Sequence, residues 1–254
     1  HLAGLRGHQS PSRVTVVTQD AYQVASSASA DPVASAVSGL VNVAAKEMPQ
    51  LKLRTIDLGS EKTLSAWRAV TSPYVSGHSP LIQRYDAYWE RTLAPLQLKV
   101  SGPSCFRENG VYLILGGAGG IGMELCRYLA KNYRARLILI GRREPDVEKR
   151  SSMEALRALG GDYLYLRADA TNSAQFRETV ATAKQKFGAI HGAIHSAAVL
   201  DGKLLIRMDE ASFLNAFESK SLGTIALGEA LRDEALDFVA LFSSAALSLD
   251  SSAS

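Results

Sequence analysis

The second half of the chain alternates short apolar runs with longer amphipathic stretches. The apolar runs predict strands at Val111–Leu115, Ala135–Ile140, Asp162–Leu166, Ala189–His195 and Asp237–Phe242. The amphipathic stretches between them predict helices at Ile121–Tyr133, Val147–Leu159, Ser173–Phe187 and Asp209–Leu231. Strands that alternate with helices of this length predict an α/β fold with a doubly wound parallel sheet.

The first half begins with a similar but shorter pattern. The β-branched run Arg13–Thr18 and the alternating run Leu51–Asp57 predict two strands. Between them, Asp31 is suited to cap a helix over Val33–Glu47, with Pro32 in its first turn. Spacing then predicts one buried stripe on this helix, made of Val33, Val37, Leu40, Val41 and Ala44.

This first segment has the layout of a nucleotide-binding half but lacks its glycine-rich turn. Gln19–Tyr22, directly after the first strand, contains no glycine that would let a pyrophosphate approach the backbone. We therefore interpret the segment as architecture without a nucleotide site. A further helical stretch is predicted at Leu64–Val70.

Aromatic and arginine residues interleave between Arg84 and Arg91. Such a run is compatible with nucleic-acid binding. An edge strand or docking segment is the favoured interpretation, because no wider basic face accompanies it. The turn residues Ser101–Ser104 then indicate a domain boundary, which divides the chain into domains 1–106 and 107–254.

Composition narrows the class of protein. The 254 residues are 46% hydrophobic and 21% charged, with a net charge of +3, as in ordinary globular proteins. The small charge argues against a nucleic-acid partner, and no apolar run is long enough to predict a membrane span. Cys105 and Cys126 fit neither a metal site nor a disulfide framework, so a reducing, cytoplasmic setting is expected.

A dense glycine turn follows the strand Val111–Leu115. It comprises Gly116, Gly117, Ala118, Gly119, Gly120, Ile121 and Gly122. Glycines remove Cβ atoms where a strand turns sharply into a helix and where a pyrophosphate meets the helix N-terminus. A tight turn packed for its own sake is the alternative. The strand before and the helix after favour a dinucleotide site in a Rossmann-type fold.

Two arginines stand where the adenosine ribose of a dinucleotide would lie. Arg142 and Arg143 follow the second strand of the domain. An acidic residue there selects NAD, whereas arginine accommodates the 2′-phosphate of NADP. The pair therefore predicts NADPH, the alternative being a solvated basic turn.

Three further groups stand at predicted strand ends. Asp169, followed by Ala170, can accept a bond from the adenine amino group, although such an aspartate is also a common turn or capping residue. Ser196, Ala197 and Ala198 are small enough for a cofactor ribose to lie against the backbone. His195 is interpreted as a structural residue of a buried strand rather than a catalytic one.

Six motifs occur in one order along the chain. They are Gly116–Gly122, Gly141–Arg143, Ala168–Ala170, His195–Leu200, Glu218–Gly223 and Leu241–Ser244. Together they resemble the ketoreductase domain of modular polyketide synthases, a member of the short-chain dehydrogenase/reductase superfamily. The first hundred residues are similar to the structural, cofactor-free subdomain of that family. The resemblance thus implies a truncated Rossmann-like structural subdomain followed by an NADPH-binding catalytic subdomain.

The resemblance also implies roles for individual residues. Lys220 matches the lysine that bonds the nicotinamide ribose and lowers the pKa of a catalytic tyrosine. Ser244 matches the serine that bonds the substrate ketone. The implied reaction is reduction of a 3-oxoacyl thioester by NADPH. The substrate would arrive on the phosphopantetheine arm of an acyl carrier protein, among neighbouring polyketide synthase domains.

The sequence departs from the family pattern near its end. The catalytic tyrosine and asparagine are expected after Ser254, and no tyrosine follows Tyr165. We therefore expect a catalytic subdomain that is incomplete at its C-terminal end. A degenerate, purely structural ketoreductase is the alternative, and a free-standing dehydrogenase is disfavoured by the siteless first half. Leu200-Asp201-Gly202 lacks the last aspartate of a stereochemical signature, so product configuration is not predicted.

Overall fold

The computed structural model describes residues 13–24, 29–60, 64–71, 79–92, 94–97, 102–199 and 202–244. These residues group into two compact units. One unit holds the described residues up to 97, together with 203–208 and 244. The other holds those from 102 to 202, together with 209–243. None of the helices in these ranges is long and apolar enough to cross a lipid bilayer.

The first unit is a small mixed sheet with helices. Its elements are β1 (Val14–Gln19), α1 (Pro32–Glu47), a 3-10 turn (Pro49–Leu51), β2 (Leu53–Leu58), α2 (Leu64–Thr71), β3 (Leu81–Arg84) and β4 (Ala87–Glu90). The strands lie in the order β1-β2-β3-β4. The first three are parallel, and β4 runs antiparallel to β3. The predicted edge strand in the aromatic run is therefore confirmed as β4, whereas β3 was not predicted.

Helix α1 begins as predicted but buries a different face. Asp31 caps it by accepting a bond from the Ala34 N–H at 2.7 Å, and Pro32 is its first residue. The predicted buried stripe is wrong in its first half, since Val33 is 73% exposed and Val37 and Leu40 are also exposed. The buried face instead consists of Ser38, Val41, Asn42, Ala44 and Ala45. Small side chains let the helix pack close to the sheet. Because two of the buried residues are polar, a pattern of hydrophobic residues does not reveal the buried face.

A buried ion pair lies at the carboxyl ends of the strands of the first unit. Asp57, at 0% exposure, contacts Arg84 at 2.6 Å, and its carboxylate also accepts bonds from Thr18, Ala21 and Tyr22. Two of these donors are backbone N–H groups of the loop after β1. In a dinucleotide-binding half the corresponding loop amides would face a phosphate. Here a carboxylate of the chain itself takes them.

The second unit is a doubly wound parallel sheet. Its elements are β5 (Val111–Leu115), α3 (Gly120–Tyr133), β6 (Arg136–Gly141), α4 (Val147–Ala158), β7 (Asp162–Arg167), α5 (Ser173–Phe187), β8 (Gly192–His195), α6 (Glu210–Ala230) and β9 (Phe238–Leu241). The strands lie in the order β7-β6-β5-β8-β9, and every pair is parallel. All of the strands and helices predicted here exist, with small shifts at their ends.

Each face of this sheet has its own core. Successive residues of a strand point to opposite faces, so β5 and β6 contribute alternately to the two. One core joins the sheet to α5 and α6 and includes Leu113, Ile138, Phe176, Val180 and Leu227. The other joins it to α3 and α4 and includes Ile114, Leu139, Cys126, Leu129 and Leu156. Because both faces are covered, the carboxyl ends of the strands remain the accessible edge for a ligand.

Candidate functional site

A cleft of 520 Å³ opens at the carboxyl ends of the strands of the second unit. The strand order reverses between β5 and β8, and a doubly wound sheet binds ligands at such a switch point. The predicted cofactor residues that line the cleft are Gly116, Ala118, Gly119, Gly120, Ile121, Gly122, Arg142, Arg143, Asp169, Ala170, Ser196, Ala197 and Ala198. Of the predicted cofactor set, Gly117 alone is not among the lining residues. Residues from Gly116 to Ala198, far apart in sequence, thus meet at one edge.

The turn after β5 requires glycine for steric reasons. Gly116 has φ +83°, and a Cβ atom there would lie 2.6 Å from the Cα atom of Ala197. A Cβ atom on Gly117 would lie 2.6 Å from the Leu139 side chain, so this glycine serves packing against β6. At Gly122 a Cβ atom would come within 3.0 Å of the Ser196 hydroxyl. The turn therefore brings α3 close to the ends of β5 and β8.

Gly120 differs from these glycines because the protein does not crowd it. Apart from its chain neighbours and its own helix backbone, no heavy atom lies within 4 Å of the position of its missing Cβ atom, and the residue lines the cleft. Gly119, the N-cap of α3, makes no side-chain capping bond. The first N–H groups of this 14-residue helix therefore lack a side-chain acceptor, and the macrodipole favours negative charge there. These features fit the pyrophosphate of a dinucleotide.

The turn after β6 adds positive charge to the same cleft. Arg142 and Arg143 are both exposed, and the Arg142 guanidinium donates to the side-chain oxygen of Asn215 at 3.1 Å. Lys149, in the first turn of α4, also lines the cleft and pairs with Asp146 at 3.3 Å. Glu144 brings one negative charge, and its carboxylate pairs with Arg167 at 3.9 Å. The cations here suit a phosphate group more than an uncharged ribose.

Asp169 combines a structural bond with a position in the cleft. Its Oδ1 accepts bonds from the Thr171 backbone N–H at 2.9 Å and from the Thr171 hydroxyl at 2.8 Å. The side chain thus shapes the turn after β7, as aspartates commonly do. Helix α5 is capped by Asn172 rather than by Asp169. An adenine contact for Asp169 stays a prediction.

The segment after β8 closes one wall of the cleft. Ser196 donates from both its backbone N–H and its hydroxyl to the Leu115 carbonyl, at 2.9 and 3.0 Å. These bonds fasten the segment to β5, and Ala197 packs against Gly116. Ala198 is exposed toward the cleft. The small side chains leave the backbone open, as a ribose-binding wall would need.

His195 ends β8 inside the protein, with 1% of its surface exposed. Its Nε2 contacts the Ser219 carbonyl of α6 at 3.1 Å, which requires a proton on that nitrogen. Burial lowers the pKa of His195, and the nearby charge of Lys220 lowers it further. These contacts tie β8 to α6 and favour the structural interpretation.

Neither predicted catalytic residue lines the cleft. Lys220, on α6, donates from its ammonium to the Phe242 carbonyl at 3.0 Å. Burial lowers the pKa of Lys220 below its ordinary value. Ser244 is exposed and follows the end of β9. The structure therefore places Lys220 against the segment that leads to Ser244.

Several residues of the cleft were missed from sequence. They are Leu115, Ile140, Gly141, Glu144, Pro145, Lys149, Tyr165, Thr171, Val199 and Ser219. Most continue a predicted motif by one to three positions. Lys149 and Tyr165 are different, because they reach the cleft from α4 and β7. The only signals in the sequence were that Lys149 is near the start of a predicted helix and that Tyr165 is near the carboxyl end of a predicted strand.

Comparison with protein families matches both units. A model described as "KR domain" matches residues 110–253. A model described as "Polyketide synthase extender module SpnB, Rossmann fold domain" matches residues 3–89. Together the two matches span most of the chain.

Relatives with curated descriptions agree with these models. The chain is 32% identical over 231 residues to polyketide synthase ThaG of Burkholderia thailandensis, with 91% of the chain covered. It is 31% identical over 230 residues to polyketide synthase PksN of Bacillus subtilis, again with 91% covered. The chain spans 4% of the length of each of these two relatives.

Solved structures give the same match. PlmKR1, the ketoreductase from the first module of phoslactomycin biosynthesis in Streptomyces sp. HK803, is 27% identical with a TM-score of 0.81. That match covers 96% of this chain and 58% of the solved one. An A-type ketoreductase from a modular polyketide synthase is 26% identical with a TM-score of 0.75, covering 93% of this chain and 51% of its own.

Proposed function

The chain belongs to the family of ketoreductase (KR) domains of polyketide synthases, and from this premise we propose that it takes part in reducing a 3-oxoacyl thioester with NADPH. The product is the corresponding 3-hydroxyacyl thioester. The acyl chain is carried on the phosphopantetheine arm of an acyl carrier protein, next to other domains of the synthase. The cytoplasm is the proposed setting, and it is supported by two cysteines that are both free thiols.

One observation carries the cofactor part of this proposal. The glycine-lined, uncapped N-terminus of α3 and the cations Arg142 and Arg143 face a single cleft. The helix N-terminus suits the pyrophosphate that links the two halves of NADPH, and the arginines suit the 2′-phosphate on its adenosine ribose. NADPH, when bound, supplies the hydride that reduces the ketone carbon.

The chain's own side chains are assigned to polarise the ketone and to tune the proton donor. Ser244 donates a hydrogen bond to the ketone oxygen and stabilises the negative charge that develops there. Lys220 bonds the nicotinamide ribose and lowers the pKa of the tyrosine expected after Ser254, because its positive charge favours the phenolate. The partly buried setting of Lys220 strengthens that electrostatic effect.

Turnover of NADPH tests the proposal. The polypeptide that contains this chain should oxidise NADPH when given a 3-oxoacyl thioester and should form the 3-hydroxy product. We expect Lys220→Met to lower kcat by about 100-fold, since the charge that tunes the donor is lost. Lys184→Met is the matched control, because Lys184 pairs with Glu234 away from the cleft and its loss should leave kcat unchanged.

Different failures separate the alternatives. Clear NADPH binding without turnover would support a structural ketoreductase that scaffolds its neighbours. Absence of NADPH binding would refute the cofactor assignment itself. Turnover that survives Lys220→Met unchanged would refute the role of this lysine alone.

A further inference from the structure

We infer that Tyr165 is a positioning residue, whose hydroxyl holds the Arg142–Arg143 turn in the place where it binds the 2′-phosphate of NADPH. This inference rests on the proposed cofactor. It adds a residue that fixes the preference for NADPH over NADH. Tyr165 belongs to none of the motifs that indicate the function, and it makes its contact from a neighbouring strand.

The contact is made between β7 and the end of β6. Tyr165 lies beside Leu139 in the parallel pairing of these strands, and its side chain lines the cleft. From there the phenol O–H donates to the backbone carbonyl of Arg143 at 2.5 Å. The bond therefore fixes the main chain at the second arginine, just after β6 ends at Gly141.

Gly141 makes room for this arrangement. A Cβ atom at position 141 would clash with the Tyr165 hydroxyl oxygen and would lie 3.3 Å from the ring carbon that bears it. The phenol therefore passes directly over the residue where the chain leaves the sheet. Because φ of Gly141 is not in the left-handed region, glycine is needed here for space rather than for backbone conformation.

The phenol remains a donor at neutral pH. Burial raises the pKa of Tyr165, and the nearby Glu144 carboxylate raises it further, while Arg167 opposes the shift. A neutral phenol keeps its proton for the Arg143 carbonyl. At neutral pH the Tyr165 hydroxyl therefore stays protonated, and its bond to the Arg143 carbonyl is kept.

Arg143 depends on this backbone anchor more than Arg142 does. The Arg142 guanidinium is held through its side chain by Asn215. The Arg143 guanidinium forms no hydrogen bond or ion pair with the described residues, so its place follows from its main chain. An arginine fixed at its backbone and open at its guanidinium is prepared for an incoming phosphate.

The two tyrosines of β7 provide the test. Tyr165→Phe removes only the hydroxyl, and we expect about fivefold weaker NADPH binding, because one hydrogen bond that positions a charged contact is lost. NADH binding should not change, since NADH has no 2′-phosphate. Tyr163→Phe is the matched control, because Tyr163 donates to Glu154 at 2.6 Å and is not among the cleft-lining residues. Dissociation constants come from fluorescence titration with each nucleotide.

A double-mutant cycle shows whether Tyr165 acts through Arg143. In an Arg143→Ala background, Tyr165→Phe should have no further effect on NADPH binding. Gly141→Ala is a second route to the same result, since its methyl group would displace the phenol. In the wild-type background we expect Gly141→Ala to weaken the binding of NADPH but not of NADH. In the Tyr165→Phe background it should have no further effect on NADPH binding. Thermal melts of each variant report any loss of folding.

The possible outcomes are distinct. Equal weakening of NADPH and NADH by Tyr165→Phe, or an undiminished effect in the Arg143→Ala background, would overturn the inference. So would an unchanged NADPH preference in both Tyr165→Phe and Gly141→Ala. A wild-type protein that binds no NADPH would instead refute the proposed function, and this inference with it.

Discussion

Gly116 and Gly120 differ in what surrounds the Cβ atom that each of them lacks. Gly116 is confined by φ +83° and by the Ala197 backbone, so the fold itself needs glycine there. At Gly120, by contrast, no atom outside its own helix and chain neighbours lies within 4 Å of the missing Cβ position. The open space agrees with the proposed pyrophosphate at this turn.

Alanine at each position therefore has a different expected effect. Gly116→Ala should destabilise the protein by about 1–3 kcal/mol, because the backbone is strained for any residue with a side chain. Gly120→Ala should leave stability unchanged or raise it by up to about 1 kcal/mol, since alanine favours helices. It should nevertheless weaken NADPH binding, as the added methyl group occupies the cleft. Urea denaturation and nucleotide titration measure the two effects, and full NADPH affinity in Gly120→Ala would contradict this assignment.

The same residues show which parts of the site a sequence can reveal. The glycines and Arg142–Arg143 were predicted because each group acts through local spacing at a strand end. Lys149 and Tyr165 were missed, because they reach the cleft only when α4 and β7 are packed. Their residue types are ordinary for exposed or half-buried positions, so the sequence contains no separate signal for them.

At the scale of elements, strand β8 begins directly after His191 and ends at His195, and burial lowers the pKa of both histidines. Nδ1 of His191 accepts a bond from the Val111 N–H at 2.9 Å, and burial lowers its pKa. His195, at the other end of the strand, has a pKa lowered mainly by burial. Hydrogen bonds of the two imidazoles thus attach the strand to β5 at one end and to α6 at the other.

These pKa shifts predict a stability that falls in mild acid. The unfolded chain protonates both imidazoles below their ordinary value of 6.5, whereas the folded protein resists protonation. The unfolded state then binds more protons, so stability is present above about pH 6.5 and is lost as the pH falls toward the lowered pKa values.

Urea midpoints at pH 7.5 and 5.5 measure this loss of stability, and His195→Gln should make the loss smaller. The pKa values of Asp146 and Asp237 are lowered from an ordinary value of 3.8, so the protonation of these carboxylates reduces stability only in stronger acid. A wild-type slope retained in both His195→Gln and His191→Gln would contradict the argument.

Elements with a purely apolar core were predicted better than those with a polar one. Strand β5 was predicted with its observed ends, because its five residues are all buried and apolar. Strand β3 was missed, because its buried residues include the polar Gln83 and Arg84. Helix α1 was predicted but its face was not, since Ser38 and Asn42 are buried there. A polar residue becomes a core residue only when tertiary partners satisfy it, and those partners are distant in sequence.

At the scale of the whole molecule, the two units place opposite chemistry at equivalent strand ends. In the second unit, glycines and an uncapped helix leave the ends open to an anion. In the first, the carboxylate of Asp57 accepts the loop amides of Ala21 and Tyr22, and Arg84 neutralises it. The first unit therefore carries its own anion at these strand ends, and the absence of a nucleotide site there stays a prediction.

Removal of that internal anion should destabilise the protein without affecting the cofactor. Asp57→Ala removes the close carboxylate partner of the buried Arg84 guanidinium and the acceptor of two loop amides, so we expect a loss of about 3–5 kcal/mol in unfolding free energy. Asp31→Ala is the control within the same unit, because it removes an exposed helix cap and should cost only about 1 kcal/mol. Every residue that lines the cleft belongs to the other unit, so the dissociation constant of NADPH should stay the same in both variants while they remain folded.

Denaturation followed by circular dichroism measures the unfolding free energy, and nucleotide titration measures the dissociation constant of NADPH. A folded Asp57→Ala protein with weakened NADPH binding would show that the first unit influences the site, and equal costs for the two aspartates would show that the buried pair is not what stabilises its strand ends.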